Sequence, residues 1–119
     1  MKGELEFLDI SKKTGLSVTL LKEIIKVISK YTSVEKAVIF GSRGRGDFRK
    51  TSDIDICLFG DEVTHTEVNL LEFDLRELIN TPLEFDVVSF KSITKEELKE
   101  NILKDGVEVY DRKKITSEI

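Results

Sequence analysis

Apolar side chains between residues 17 and 31 recur with helical spacing. Leu21, Ile24, Ile25 and Ile28 stand at i, i+3, i+4 and i+7, and Leu20, Val27 and Tyr31 widen the stripe. The spacing predicts a helix that buries one broad face. Residues 34–40 (VEKAVIF) read as a strand ending at Gly41, after which apolar residues nearly vanish through GSRGRGDFRKTS. Over residues 53–59 (DIDICLF) the period becomes two, with Ile54, Ile56 and Leu58 on one face and Asp53, Asp55 and Cys57 on the other. A helical pattern returns over 64–80, where Val68, Leu71, Leu75 and Leu78 share a face. Thr64 and Glu67 are spaced for a capping box. Thr81-Pro82 ends that helix, and residues 83–90 (LEFDVVSF) read as a strand with Glu84 and Asp86 on one face. Thr94 as N-cap, Glu97 at N3 and an Ile93–Leu98 staple mark a last helix, which Gly106 stops. Residues 107–110 predict a short edge strand. Residues 1–15, ending in the turn signal Lys-Lys-Thr-Gly, and the tail RKKITSEI read as loose segments.

The order is therefore α-β-(loop)-β-α-β-α-β: an α/β (α+β) fold with a small mixed sheet and helices mainly on one face. The 119 residues form one domain with its core over about 17–110, long enough for a hydrophobic core without disulfides. A net charge of −4 argues against binding long nucleic acid through phosphate contacts. One cysteine and one histidine leave no zinc-ligand set. No apolar run approaches the roughly 18 residues that span a bilayer, and the N-terminus has no signal-peptide core, so a cytoplasmic protein is expected.

Charge changes the picture at one place. Asp53 and Asp55, two apart on a strand, point the same way, roughly 6–7 Å apart along it. Two such carboxylates repel unless a cation or proton lies between them. Hard divalent ions such as Mg²⁺ take oxygen ligands, so the pair suits one or two of them. The loop before it carries Arg43, Arg45, Arg49 and Lys50 among glycines. Gly41 permits a tight turn close to a ligand, and a short helix starting near Ser42 would offer N–H groups and a hydroxyl to phosphate oxygens. This is equipment for phosphoryl or nucleotidyl transfer. It is not a Walker A loop, because Asp47-Phe48 follows Gly46 where Lys-Ser/Thr is needed, and the Rossmann glycine order is absent as well. Cys57 reads as a packing residue, and His65, Tyr31 and Tyr110 as surface or packing residues.

Gly41-Ser42, ten intervening residues and Asp53-Ile54-Asp55 resemble the G-S-x10-D-x-D signature of the DNA polymerase β-like nucleotidyltransferase superfamily. The fuller string GSRGRGDFRKTSDIDI resembles the minimal nucleotidyltransferases, many of them antitoxins paired with a HEPN-domain toxin. The resemblance implies a polymerase β-like core in which Asp53 and Asp55 ligate metal on a triphosphate. It implies a third carboxylate, which Phe85-Asp86-Val87 supplies at Asp86, with Glu84 as the alternative. Gly41 and Ser42 would bind a terminal phosphate, with Arg45 and Arg43 neutralising it. It further implies two Mg²⁺ ions, ATP as substrate, and transfer of AMP to a tyrosine of a HEPN toxin. Two other functions remain open: a non-catalytic antitoxin that acts by occlusion, and nucleotide addition to RNA.

Overall fold

The computed structural model describes residues 3–117. The order is α1 (Glu4–Thr14), α2 (Val18–Ser29), β1 (Lys36–Phe40), α3 (Gly41–Arg45), β2 (Ile54–Phe59), α4 (His65–Leu78), β3 (Phe85–Ser89), a 3-10 turn (Phe90–Ser92), α5 (Glu96–Asp105), β4 (Val107–Asp111) and α6 (Arg112–Ser117).

Local chemistry explains the main helix starts. Ser17 caps α2 by accepting from the Leu20 N–H. Thr64 and Glu67 form the reciprocal capping box of α4 that their spacing predicts. At α5 the expected Thr94 cap is displaced: the N-cap is Lys95, which makes no side-chain capping bond. Ile93 and Leu98 nonetheless pack against the same small apolar cluster.

The four strands lie in the order β3-β2-β1-β4. β1 pairs antiparallel with β2 and β4, while β2 and β3 run parallel with α4 as the crossover. The sheet is mixed, as the sequence pattern implies. Ile39, Ile54, Ile56, Phe85 and Val87 face the main core together with Leu21, Ile24, Leu71 and Leu75 of the helices. Val38 and Cys57 point to the other side and meet Ile102 of α5. Helices α1, α2 and α4 thus cover one face, and α5 covers part of the other.

Two segments differ from the loose ends expected. Residues 4–14 form α1, which buries Phe7, Ile10 and Thr14 at helical spacing. The Lys-Lys-Thr-Gly signal is the end of this helix: Gly15 adopts φ 71° and its N–H returns to the Ser11 carbonyl. The tail also begins as a helix, α6. Arg112 anchors its start by donating to the carbonyls of Val34, Ser29 and Tyr31. Residues 118–119 of the expected loose tail lie outside the described residues.

Candidate active site

The site forms where three strand ends line up. Phe40 is paired with Asp55, and Asp55 with Asp86, so both carboxylates stand on neighbouring strands at one level. Parallel neighbours are about 4.8 Å apart. Asp53 lies two residues upstream, at the entrance to β2, and is exposed. Asp55 is half-buried and Asp86 exposed. The alternation of β2 puts Ile54, Ile56 and Leu58 in the main core and Asp55 with Cys57 on the α5 side.

At the end of β1 the chain turns sharply into α3. Gly41 has φ 68°, and a Cβ there would lie 2.3 Å from Oδ2 of Asp55. A side chain at position 41 is thus opposed by both backbone conformation and space. Gly44 is confined by space alone, since its Cβ would meet the Ile39 carbonyl at 2.9 Å. These glycines let α3 sit directly on the carboxylate row, with Ser42 half-buried at its start. A cavity of about 110 Å³ continues from Gly41 and Arg45 to Leu98, Asn101 and Asp105 of α5. Nothing in the sequence pattern placed α5 beside the Gly-Ser turn.

Electrostatics ties the row together. Burial pushes the Asp55 carboxyl up to about 6, the negative charges of Asp86 and Asp53 push it the same way, and Arg45 opposes them. Asp86, rather than Glu84, stands beside Asp55 in the sheet register. Arg45 is exposed and forms an ion pair with Asp47 at 3.3 Å.

The donors are hard oxygens gathered where negative charge is already unfavourable, which fits Mg²⁺. Among the described residues no three His, Cys, Asp or Glu side chains converge as a finished metal cage. An ion that keeps waters and shares phosphate oxygens with a substrate needs only one or two protein carboxylates.

Arg43 corrects the sequence reading. It is 1 % exposed, and its guanidinium donates to the carbonyls of Thr14, Ser52, Arg49 and Lys50. It stacks over the Phe48 ring at 5.2 Å. Its donors hold the loop and the end of α1, so it serves as the loop's internal brace instead of the phosphate ligand expected. Burial lowers the pKa of its guanidinium. Cys57 is fully buried, and burial pushes its thiol up to about 12, as suits a packing residue.

Comparison with known proteins gives a consistent picture. Residues 22–115 match the family described as polymerase beta, nucleotidyltransferase. A protein adenylyltransferase candidate of Methanocaldococcus jannaschii is 36% identical over 89 residues, covering 74% of this chain and 91% of that protein. A chain in a toxin–antitoxin crystal structure with AMP-PNP superposes with a TM-score of 0.64 at 20% identity, covering 76% of this chain and 73% of that one. A chain in the complex of tri-AMPylated Shewanella oneidensis HEPN toxin with MNT antitoxin superposes with a TM-score of 0.60 at 17% identity, covering 83% and 76%. At these identities the two structures speak for the fold. Among the described residues no helix is long and apolar enough to cross a membrane.

Proposed function

The chain belongs to the polymerase beta nucleotidyltransferase family, and we propose that it transfers AMP from ATP to a tyrosine hydroxyl of a HEPN-type toxin, acting as its antitoxin in a Mg²⁺-dependent reaction. The observation that carries this reading is the row of Asp53, Asp55 and Asp86 with the Gly41 turn seated on it. The adenylyltransferase name of the relative and the AMP-PNP and AMPylated-toxin complexes support the nucleotide and the partner.

The hydroxyl oxygen attacks the α-phosphorus, the bond to the bridging oxygen breaks, and pyrophosphate leaves. Ser42 and the first turn of α3 hold the terminal phosphate, and Arg45, exposed beside the row, offsets its charge. Asp86, exposed at the rim, takes the proton of the attacking hydroxyl. Asp53 and Asp55 with Asp86 would hold Mg²⁺, which would supply positive charge to stabilise the attacking and leaving oxygens. The buried Val38–Cys57–Ile102 cluster forms an apolar floor on the Asp55 face of the sheet.

Leu70, Phe73 and Leu78 are exposed by 51%, 58% and 58% along α4. This favours a protein partner and gives a second reading, neutralisation by occupancy alone, its footing. The test of the chemistry uses ATP labelled at the α- or the γ-phosphorus, with Mg²⁺ and the partner encoded beside this gene. The α label is expected to stay on the partner and the γ label to leave as pyrophosphate. Retention of γ label would make the protein a kinase and reject nucleotidyl transfer.

A further inference from the structure

At the far end of β3 from the carboxylates, the edge of the sheet is left open. β3 is an edge strand, and its even positions face β2, as in the 2.8 Å bond from the Ile54 N–H to the Glu84 carbonyl. The odd positions face outward. α4 covers the first two of them: Arg76 donates to the Phe85 carbonyl at 3.1 Å, and Glu72 accepts from the Val87 N–H at 3.0 Å. The same flank of α4 continues through Asn69 to His65. There the cover stops, and a cavity of about 400 Å³ opens between Val63, Val68 and Val87, the polar side chains of His65 and Asn69, and Ser89.

Ser89 is 5% exposed, and its hydroxyl has no hydrogen-bond partner. It shares the face of Phe85 and Val87, which pack beneath α4, so its side chain turns to the cavity side of the sheet. A buried hydroxyl left unpaired is unfavourable, and a ligand oxygen would relieve it. Two further features favour a negative ligand. Lys91 lines the cavity and donates to the Asp61 carbonyl at 2.6 Å, which leaves two ammonium hydrogens. The positive end of the 14-residue α4 opens here at His65. Against them stands the Glu67 carboxylate at the same helix end, which keeps its charge but is turned to the Thr64 N–H and the Ser33 hydroxyl.

We propose that this cavity captures the C-terminal residue of an extended peptide. The carboxylate accepts from the Ser89 hydroxyl and from Lys91, and an apolar last side chain packs among the valines. The outward Ser89 N–H gives the peptide main chain a place to pair at the open edge. One lysine against walls of valine suits a single negative charge better than a phosphate.

The test is an amide-resolved NMR titration of the full chain with acetyl-Gly-Gly-Val, with the same peptide amidated at its C-terminus, and with acetyl-valine. Shifts confined to His65, Asn69, Ser89 and Ser92 are expected with the free-acid peptide. Binding of the amidated form is expected to be about tenfold weaker or more. Ser89→Ala weakens binding of the acid by a similar factor without lowering the thermal midpoint, because no internal bond is lost. Lys91→Gln, at an exposed position, weakens it likewise. No shifts at these amides, or equal affinity for acid and amide, would overturn the site. Acetyl-valine binding as tightly as the peptide would overturn the peptide terminus and assign the cavity to a free acid.

Discussion

Asp55→Asn is expected to abolish AMP transfer and at the same time to stabilise the metal-free protein. The carboxyl is held at about 6 instead of the ordinary 3.8, first by burial and then by Asp86 and Asp53. The folded state therefore keeps its proton to higher pH than the unfolded chain does. Stability falls as pH rises from about 4 to about 6, and the penalty is complete above that window. Discounted for solvent screening, it amounts to about 1–2 kcal/mol. Asparagine keeps the shape beside Gly41 without the charge. Urea unfolding at pH 7.5 without metal should show the variant more stable, with that part of the pH dependence gone. Transfer should fall by about a thousandfold or more, the loss of roughly 4 kcal/mol of transition-state stabilisation. Equal stability and an unchanged pH profile would mean that Asp55 is an ordinary solvated carboxylate.

Arg43→Met is expected to be the most destabilising substitution near the site. Arginine serves four carbonyls from three directions, one of them the Thr14 carbonyl at the negative end of α1. Methionine keeps the apolar stem but loses the guanidinium over Phe48 and this donor to the Thr14, Ser52 and Lys50 carbonyls, while the Arg49 carbonyl still accepts from the Ser52 N–H. A loss of about 3–4 kcal/mol follows, a large share of a small domain's total. Arg43→Lys should recover little, since one ammonium cannot match the planar fork. The denaturant midpoint measures this. A midpoint within about 1 kcal/mol of wild type, together with weakened ATP binding, would instead make Arg43 a phosphate ligand.

The contrast between these residues shows what the sequence made legible. Asp53 and Asp55 could be read because a strand of period two fixes which side chains share a face. Asp86 could be read only through the family resemblance, which asks for an acid in an apolar setting such as Phe85-Asp86-Val87. Its placement beside Asp55 instead of Glu84 depends on sheet register, which no local pattern contains. Arg43 was misread because a basic residue between glycines looks the same whether it meets phosphate or carbonyls. The deciding contact comes from α1, and that helix was hidden too. Exposed Leu5 and Leu8 blur its stripe, and its terminal glycine looks like a turn. The contribution of α5 to the cleft depends on tertiary packing alone.

Intact-mass measurement of the proposed HEPN partner, after incubation with ATP, Mg²⁺ and either the wild-type protein or the Asp53→Ala, Asp55→Ala double variant, tests the central claim most directly. AMP addition mapping to tyrosine is expected with wild type and none with the variant, although both bind the partner. An unmodified partner in a demonstrated wild-type complex, or the same addition from the variant, would contradict adenylyl transfer at the carboxylate row.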